Sequence, residues 1–320
     1  MLYGKNILVV AVWFGKKPET FDMWLHSCEQ NEGIDWLLVT DMDLTDLSVK
    51  KNIHIAKMSM SFFEEKLGKY ANLKLNMLRP YKTCDFKPLY SGLLDLVPGN
   101  WDYWGHCDLD MVFGKISDFL TKELLDKFDR IFGVGHFSIY KNNEECNDFY
   151  KKDFDGLDYK IILEDSEHHG FDEHIGVNKI WRFYNAKFYE NENVIVDIDH
   201  HLRKICRVTT DSIAKNYKYQ IFCYANGGVY QYYYNKGKIE SKEFMYMHIQ
   251  KRKNLFPTGF QKEVDYCLTP KGFAAINIKK INLDEISKLN PTFFPIKKSE
   301  LIYKARLSYR AIKEMWKKIL

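Results

Sequence analysis

Two carboxylates, Asp108 and Asp110, flank one apolar residue directly after the apolar stretch 101–107. In an extended chain residues i and i+2 point to the same side, so both carboxylates are predicted to face one cation. Mg²⁺ and Mn²⁺ prefer oxygen ligands, and such a cation neutralises a diphosphate. The alternative is an acidic surface turn. The burial expected of Leu109 and Met111 favours a metal site.

A second group combines an imidazole with positive charge. His248 ends a predicted late strand, and Lys251, Arg252 and Lys253 follow it. A neutral imidazole is a common metal ligand, and Lys or Arg pairs with phosphate oxygens. This chemistry predicts His248 as a third ligand, with Lys251 or Arg252 on the phosphates. The alternative is a half-buried histidine beside solvated basic side chains.

Two acids and three imidazoles are crowded into segment 168–174, at the start of a predicted helix over 171–183. Asp172 or Glu173 is a candidate acid that binds or deprotonates a hydroxyl. A carboxylate is also favourable at a helix N-terminus, where the dipole is positive. A His-rich metal site is a third interpretation, and all three stay open at this point.

Two further loops carry charged or small residues. Lys82, Asp85 and Lys87 precede a predicted short helix. They are expected either to contact a nucleotide and its phosphates or to form an ordinary surface loop. His136 follows Gly135 at the end of a predicted strand, near the proposed cation. Glycine at that position allows either a sugar or a neighbouring element to approach the backbone.

The elements that position these motifs alternate between strand and helix over the first 150 residues, which predicts an α/β fold with a mostly parallel sheet. Predicted strands cover 7–13, 35–40, 52–58, 101–107 and 130–140, and predicted helices cover 61–78, 88–97 and 116–128. Beyond residue 150 the pattern loosens, and Asn226-Gly227 predicts a hairpin. We expect one continuous domain over 1–296, since neither a repeat nor a low-complexity linker interrupts it. Ligands of open α/β sheets bind where strands end, as Asp108 does.

The composition limits the class of protein. With 320 residues, 46% hydrophobic and 28% charged, the chain has the balance of a soluble globular protein. No apolar stretch reaches eighteen residues, and the first strand does not end like a signal peptide. Seven cysteines without C-x-x-C spacing predict reduced thiols in a cytosol. The aromatic content of 16% fits either sugar-stacking surfaces or an aromatic core.

The net charge of +4 is concentrated at the C-terminus. Residues 297–320 hold eight Lys or Arg and two Glu, which is +6, so residues 1–296 carry −2. An apolar stripe with Trp316 near its end predicts a basic amphipathic helix. Such a helix is predicted to bind an anionic membrane surface, and the alternative is packing on the globular domain. Charge confined to a tail argues against a nucleic-acid partner.

With these motifs the chain resembles bacterial surface-polysaccharide glycosyltransferases, of capsule and O-antigen type, with the GT-A fold. The resemblance covers about residues 5–255. It rests on 101–110 with its D-x-D, on His248 with Lys251, and on the segments 85–88 and 135–137. Segment 171–178 is similar to the D-Q-x-x-x-N stretch of retaining galactosyl- and glucosyltransferases, with Glu173 and His174 in place of the amide pattern.

The resemblance implies a GT-A-like, Rossmann-type mixed sheet flanked by helices over 1–296, followed by the helix at 297–320. It implies a nucleotide-sugar donor, a UDP-hexose with galactose first. Asp108, Asp110 and His248 would hold Mn²⁺ or Mg²⁺. The acceptor would be a lipid-linked glycan at the cytoplasmic face of the membrane. Four residues would lie near the nucleoside, namely Val12, Trp13, Phe14 and Asp41.

Two other function classes fit parts of the sequence. A sugar-phosphate nucleotidyltransferase usually carries a Gly-rich basic loop after its first strand, which Gly15-Lys16-Lys17-Pro18 matches only faintly. A non-catalytic carbohydrate-binding or membrane-scaffold protein would use Tyr and Trp on a glycan and leave the acids at the surface. Slow hydrolysis of a nucleotide sugar distinguishes an enzyme from a binding protein.

Overall fold

The computed structural model describes residues 1–209, 214–256 and 259–293, and their contacts divide the chain into two compact units. The first unit comprises Met1–Met111 and Lys115–Asn191. The second comprises Val112–Gly114 and the chain from Glu192 onward. The sequence pattern predicts one continuous domain, so this division is visible only in the tertiary contacts. The helix predicted over 297–320 lies outside the described residues.

Strands and helices alternate in the first unit, and strands dominate the second. In chain order the strands are β1 (Ile7–Trp13), β2 (Asp35–Thr40), β3 (Ile53–Lys57), β4 (Tyr103–Cys107), β5 (Met111–Phe113), β6 (Arg130–Val134), β7 (Phe137–Lys141), β8 (Phe188–Tyr189), β9 (Ile195–Ile198), β10 (Arg207–Val208), β11 (Gln220–Ala225), β12 (Gly228–Asn235), β13 (Lys238–Phe244), β14 (Tyr246–His248), β15 (Tyr266–Thr269) and β16 (Gly272–Ala275). The α-helices are α1 (Phe21–Gln30), α2 (Met60–Ala71), α3 (Lys122–Lys127), α4 (Glu144–Asn147), α5 (Tyr159–Glu164), α6 (Val177–Phe183) and α7 (Leu283–Leu289). Short 3₁₀ helices cover Pro80–Cys84, Lys87–Leu96, Ile116–Asp118, Phe149–Lys151, Glu192–Val194 and Ile278–Lys280.

The first unit is built on a seven-stranded sheet in the order β3-β2-β1-β4-β7-β6-β8. The strands β3, β2, β1 and β4 are parallel neighbours, whereas β7 runs antiparallel to both β4 and β6. The predicted α/β class with a mixed sheet flanked by helices is confirmed. In β1 the residues from Ile7 to Val10 are fully buried. Burial of both faces explains the unbroken apolar run of this strand.

Local signals explain where α2 begins and ends. Ser59 precedes the helix, and its hydroxyl oxygen accepts a hydrogen bond from the backbone N–H of Phe62. Asn72 follows the helix in the left-handed conformation, with φ of 54°. A residue in this conformation stops a helix. The predicted helix over 61–78 is therefore too long at its C-terminal end.

The stretch predicted as one strand over 130–140 is a hairpin of β6 and β7. The register shifts between Ile131 and Val134, and the chain turns at Gly135 and His136. The backbone N–H of Asp108 donates a 3.2 Å hydrogen bond to the carbonyl of His136. This turn therefore brings Gly135 to the end of β4.

The second unit contains a five-stranded antiparallel sheet, β13-β12-β11-β15-β16, and a four-stranded sheet, β10-β9-β14-β5. The hairpin predicted at Asn226-Gly227 is confirmed, because β11 and β12 pair directly across it. Cys223 and Cys267 oppose each other on β11 and β15 and form a disulfide. The prediction of reduced thiols is therefore wrong for this pair. No helix among the described residues is long and apolar enough to span a membrane.

Candidate functional site

The carboxyl ends of β1, β2 and β4 meet at one edge of the first-unit sheet, where ligands of α/β sheets bind. Ala11 pairs with Cys107 in the β1–β4 register, so Val12 and Asp108 come next at this edge. Asp108 and Asp110 are both half-buried, and Leu109 between them is fully buried. The hydroxyl of Thr20 donates a 2.8 Å hydrogen bond to the carbonyl of Leu109. The turn is thus a fixed part of the core rather than a loose acidic loop.

Lys87 is the centre of the site in the first unit. Its ammonium lies 2.8 Å from Asp108 Oδ1 and 2.8 Å from Asp172 Oδ2. It also donates a 2.6 Å hydrogen bond to the carbonyl of Gly135. These three contacts use all three N–H donors of a lysine. Lys87 was predicted to contact a nucleotide, but in the structure it holds two carboxylates together.

The charges around Lys87 compensate for its burial. The side chain is only 4% exposed. Burial alone lowers the pKa of a lysine, but the negative charges of Asp108 and Asp172 raise the pKa of Lys87 well above its usual value. Lys87 is therefore a permanent cation. It orients Asp108 and balances part of the negative charge at this edge.

Asp172 is a buried acid with one carboxylate oxygen uncommitted. Its Oδ2 accepts from Lys87, whereas Oδ1 is buried and has no hydrogen-bond partner among the described residues. Burial raises the pKa of Asp172 to about 7, even though Lys87 opposes that rise. A carboxyl group with a pKa near neutrality is suited to accept or donate a proton. A buried oxygen without a partner also indicates that a further group belongs here.

The absence of a side chain at Gly135 makes this arrangement possible. A Cβ at this position would lie 2.9 Å from Glu173 Cγ and 3.1 Å from Asp172 Oδ2. Both distances are shorter than normal contacts to a methyl group. The groups that approach Gly135 are therefore the side chains of Asp172 and Glu173. Of the two expectations for this glycine, approach by a sugar or by a neighbouring element, the structure shows the second.

Helix capping does not explain why Asp172 and Glu173 occur at these positions. The predicted helix over 171–183 begins only at Val177, so Asp172 and Glu173 lie outside its first turn. They belong to a tight turn in which Gly176 N–H donates to the carbonyl of Glu173. His174 is exposed and His169 pairs with Asp165 at 2.6 Å. The imidazoles of 168–174 thus do not converge on one metal.

Lys82 and Asp85 form a buried ion pair that holds this turn. The ammonium of Lys82 donates to Asp85 Oδ2 at 2.9 Å and to the carbonyls of Ile162 and Glu167. Asp85 accepts the backbone N–H groups of His169 and Phe171 at 2.9 and 2.8 Å. With its donors fully used, Lys82 has a structural role in place of the predicted phosphate contact. The same correction applies to Asp85.

The residues predicted near a nucleoside lie where β1 and β2 end, at the same edge. Asp41 Oδ1 accepts a 2.7 Å hydrogen bond from the backbone N–H of Gly15, which joins the loops after β1 and β2. The indole N–H of Trp13 donates to the carbonyl of Lys16. Phe14 is 6% exposed and packs edge-on against Phe63. Phe14 is therefore a core residue of this loop, and its place near a nucleoside stays a prediction.

His248 ends β14 in the second unit, in register with Asp197 of the parallel neighbour β9. Its Nδ1 lies 2.8 Å from Asp197 Oδ1, which also accepts a 2.6 Å hydrogen bond from the amide of Gln250. A carboxylate acceptor places the proton on Nδ1 and the lone pair on Nε2. Carboxylate partners of this kind orient histidines that bind metals. The geometry is compatible with the predicted role of His248 as a ligand.

The basic residues after His248 differ from each other. Lys251 is exposed, as a residue that meets phosphate must be. Arg252 instead donates to the carbonyls of Asp199 and Leu202 at 2.9 and 2.8 Å. These bonds hold the loop after β9. Of the two predicted phosphate-binding residues, Lys251 is thus the one that the structure leaves at the surface.

The carboxylate oxygens of the first unit are suitable ligands for a divalent cation. Asp108 keeps a side chain that is 29% exposed although Lys87 occupies Oδ1. An ionised carboxylate has about four lone-pair sites, so it binds a lysine and a cation together. Mn²⁺ and Mg²⁺ take such hard oxygen ligands. The residues that would hold the cation in this unit are Asp108 and Asp110.

Three of the interactions that shape these groups are not predictable from the sequence. They are the contact of Lys87 with Asp108, the Lys82–Asp85 ion pair and the Asp197–His248 pair. Each involves a charged residue within or beside an apolar stretch, and that is the only local signal. Charge in an apolar stretch indicates a buried pair, but it does not identify the partner.

Comparisons with known proteins give one family and weak structural similarities. No curated protein matches the chain. Among solved structures it is similar to the glycosyltransferase GlyE of Streptococcus pneumoniae TIGR4, with 11% sequence identity and a TM-score of 0.36 over 59% of this chain. The chain spans 46% of the length of GlyE. It is also similar to mouse xyloside xylosyltransferase 1 in its apo form, with 9% identity and a TM-score of 0.38 over 61% of this chain and 88% of that one.

Neither structural match carries an argument about activity, because both TM-scores lie below 0.5. The family comparison is more extensive. A model of a family of unknown function matches residues 9–277, which includes every candidate site residue described above. The chain therefore belongs to the family of unknown function DUF6625.

Proposed function

We propose that the protein is a metal-dependent glycosyltransferase that transfers a hexose from a nucleotide sugar to a hydroxyl group. One observation carries the proposal. Asp108 and Asp110 follow β4 at the edge where the parallel strands end, and Lys87 links Asp108 to the buried Asp172. This arrangement combines oxygen ligands for a cation with an acid whose pKa is about 7. A cation can stabilise the departing diphosphate, and an acid of this pKa can accept the proton of an acceptor hydroxyl.

Each residue has a separate task in this proposal. Asp108 and Asp110 would hold a Mn²⁺ or Mg²⁺, which would supply positive charge for a departing diphosphate. Lys87 orients Asp108 through its 2.8 Å contact with Oδ1. Asp172 holds the acceptor hydroxyl through Oδ1 and takes its proton, since a neutral hydroxyl is a weak nucleophile. Glu173 is the second candidate for this task.

The proposal also names residues of the second unit, the sugar donor and the acceptor. His248 is proposed as a further ligand of the cation, and Lys251 as a partner of the donor phosphates. Val12, Trp13 and Asp41 are proposed to border the nucleoside. The donor is proposed to be a UDP-hexose, with galactose first. The acceptor is proposed to be a lipid-linked glycan of surface-polysaccharide synthesis, reached from the cytoplasmic face of the membrane through the basic tail.

Donor hydrolysis tests the proposal without knowledge of the acceptor. The protein is incubated with a panel of nucleotide sugars and Mn²⁺, and the free nucleoside diphosphate is measured. We expect slow hydrolysis of at least one UDP-hexose and its loss in excess EDTA. Thermal shift provides a second readout, because a donor at a hundred times its Kd adds roughly 2.7 kcal/mol of apparent stability.

Two variants show whether the site is responsible. Asp110→Asn is expected to abolish hydrolysis while the circular dichroism spectrum is unchanged. Asp118→Asn is the matched control, because Asp118 is an exposed acid in the short helix Ile116–Asp118 and is expected to have no effect. Full hydrolysis by Asp110→Asn, or in EDTA, would contradict the proposal. Absence of both hydrolysis and donor binding in the wild type would favour a non-catalytic protein.

A further inference from the structure

An aromatic pair, exposed Tyr81 and half-buried His168, borders the buried acid of the first unit. Tyr81 is 56% exposed, and its ring centroid lies 4.6 Å from that of His168. A ring nitrogen of His168 lies within 4.8 Å of a carboxylate oxygen of Asp172.

Tyr81 and His168 are positioned by the Lys82–Asp85 ion pair, whose side chains are 1% and 0% exposed. Tyr81 precedes Lys82 in the chain, and Asp85 binds the backbone N–H of His169, directly after His168. A buried ion pair contributes little net stability compared with apolar residues, but it is costly to break. We attribute its presence here to positioning, because it holds both rings at fixed points beside Asp172.

A metal ion is a poor occupant for this place. Asp85, His168 and Asp172 lie close enough together to bind a cation. However, Asp85 already accepts an ammonium and two backbone N–H groups. Asp172 accepts a second ammonium, from Lys87. A cation here would have to displace or approach two lysine charges.

The chemistry of this surface matches a sugar ring. A pyranose has an apolar C–H face and a rim of hydroxyl groups. An aromatic ring that is half in solvent packs against such a face, while a carboxylate and an imidazole bind hydroxyls. Partial burial and then the nearby charges of Cys84, Glu173 and Asp172 raise the pKa of Tyr81 to about 12, so Tyr81 stays neutral beside the acids.

We propose that Tyr81 and His168 form a platform for the terminal sugar of the acceptor glycan, with the sugar packed on Tyr81 and one of its hydroxyls directed at Asp172. The proposal rests on the proposed function and names where its acceptor binds. It assigns two residues that the sequence motifs did not include. Tyr81 and His168 are binding residues in it, and Asp172 remains the acid.

The experiment uses p-nitrophenyl glucosides and galactosides as acceptor probes with the full-length protein. Transfer to the glycoside and hydrolysis of the donor are measured in the same reaction, and their ratio is the readout. An aromatic contact of this kind predicts that Tyr81→Ala lowers the ratio about three- to tenfold, while Tyr81→Phe retains it. Phe183→Ala is the control, since Phe183 is an exposed aromatic residue of α6 outside the site. It is expected to leave the ratio unchanged.

Binding without turnover separates the two proposals. Saturation-transfer NMR with the same glycosides is expected to show ring C–H signals on the wild type that are lost in Tyr81→Ala and in His168→Ala. Equal signals on wild type and both variants, or no signal on the wild type, would overturn the platform. If donor hydrolysis proceeds but the ratio is the same in Tyr81→Ala, the platform is wrong and the proposed function stands. If the wild type binds glycosides but processes no donor, the proposed function fails instead.

Discussion

At the scale of single residues, Asp172 has the most unusual environment. It is buried against the cation of Lys87, and its pKa is raised to about 7 from an ordinary value of 3.8. A raised carboxyl pKa means that the folded state holds this proton more tightly than the unfolded state does. The contribution of Asp172 to stability is therefore most favourable below pH 4, falls as the pH rises to about 7, and is constant above that.

We predict that Asp172→Asn removes this part of the pH dependence. A shift of about three pKa units corresponds to roughly 4 kcal/mol. The free energy of unfolding of the wild type should fall relative to that of Asp172→Asn between pH 4 and pH 7. Urea denaturation of both proteins at several pH values measures the difference. A difference that is flat over this range would show that Asp172 titrates normally.

Lys87 is predicted to stabilise the protein most at neutral pH. Lys87→Met leaves two carboxylates without their shared cation, and removing one partner of a buried ion pair costs about 3–5 kcal/mol. The cost should be smaller at pH 5, because Asp172, with a pKa of about 7, is then neutral with or without Lys87, and the variant loses only the ion pair with Asp108. Lys66→Met is the control at the more exposed pair with Asp95, where about 1 kcal/mol or less is expected. Equal costs for both variants at pH 7.5 would contradict this role.

At the scale of elements, strand ends and turns bring the chemical groups together. The β6–β7 turn meets the end of β4 through Asp108 and His136. The turn before α6 is held by Asp85. In the second unit the parallel pair β9 and β14 sets Asp197 opposite His248. Gln250 follows β14 with φ of 56°, a conformation that non-glycine residues rarely adopt and that is common at functional sites.

The Asp197–His248 pair predicts an effect on metal affinity. If His248 is a ligand, loss of the carboxylate that orients it lowers affinity about 10- to 100-fold. We expect Asp197→Asn to weaken Mn²⁺ binding by this factor in isothermal titration. Asp284→Asn, an exposed acid in the first turn of α7, serves as the control. Unchanged affinity in His248→Ala would exclude His248 as a ligand, whereas a loss confined to His248→Ala would exclude only the orienting role of Asp197.

At the scale of the whole molecule, charge is distributed unevenly between residues 1–296 and the tail. The tail carries +6 and the remainder −2. Anionic lipids attract each Lys or Arg near the surface by roughly 1 kcal/mol. An apolar stripe adds to this when it is buried in the interface.

We predict that the full chain co-sediments with vesicles containing phosphatidylserine at low salt and that a chain ending at Ile296 does not. Binding should weaken as salt is added, because screening reduces the attraction. Neutral phosphatidylcholine vesicles are the control, and they should bind less of the full chain. If both forms remain in the supernatant with anionic vesicles, the tail has another role, such as packing on the remainder of the chain.

The sequence by itself determined where β1 to β4 lie in the first unit and where Asp108 and Asp110 fall relative to β4. The boundaries of β1 and β2 match the prediction, and Asp108 and Asp110 follow β4 as expected. These features depend on local patterns, since buried parallel strands need unbroken apolar runs and the carboxyl ends of such strands meet at one edge.

Only the tertiary structure decided which charged groups meet. Lys87 and Asp172 are 85 residues apart in the chain, as are Lys82 and the carbonyl of Glu167. Contacts at this separation depend on strand order, on register and on turns such as that of Gly135, and no local pattern encodes them. A lysine in a loop therefore predicts either a phosphate contact or an ion pair. The structure assigns Lys82 and Lys87 to ion pairs because burial requires a nearby negative charge.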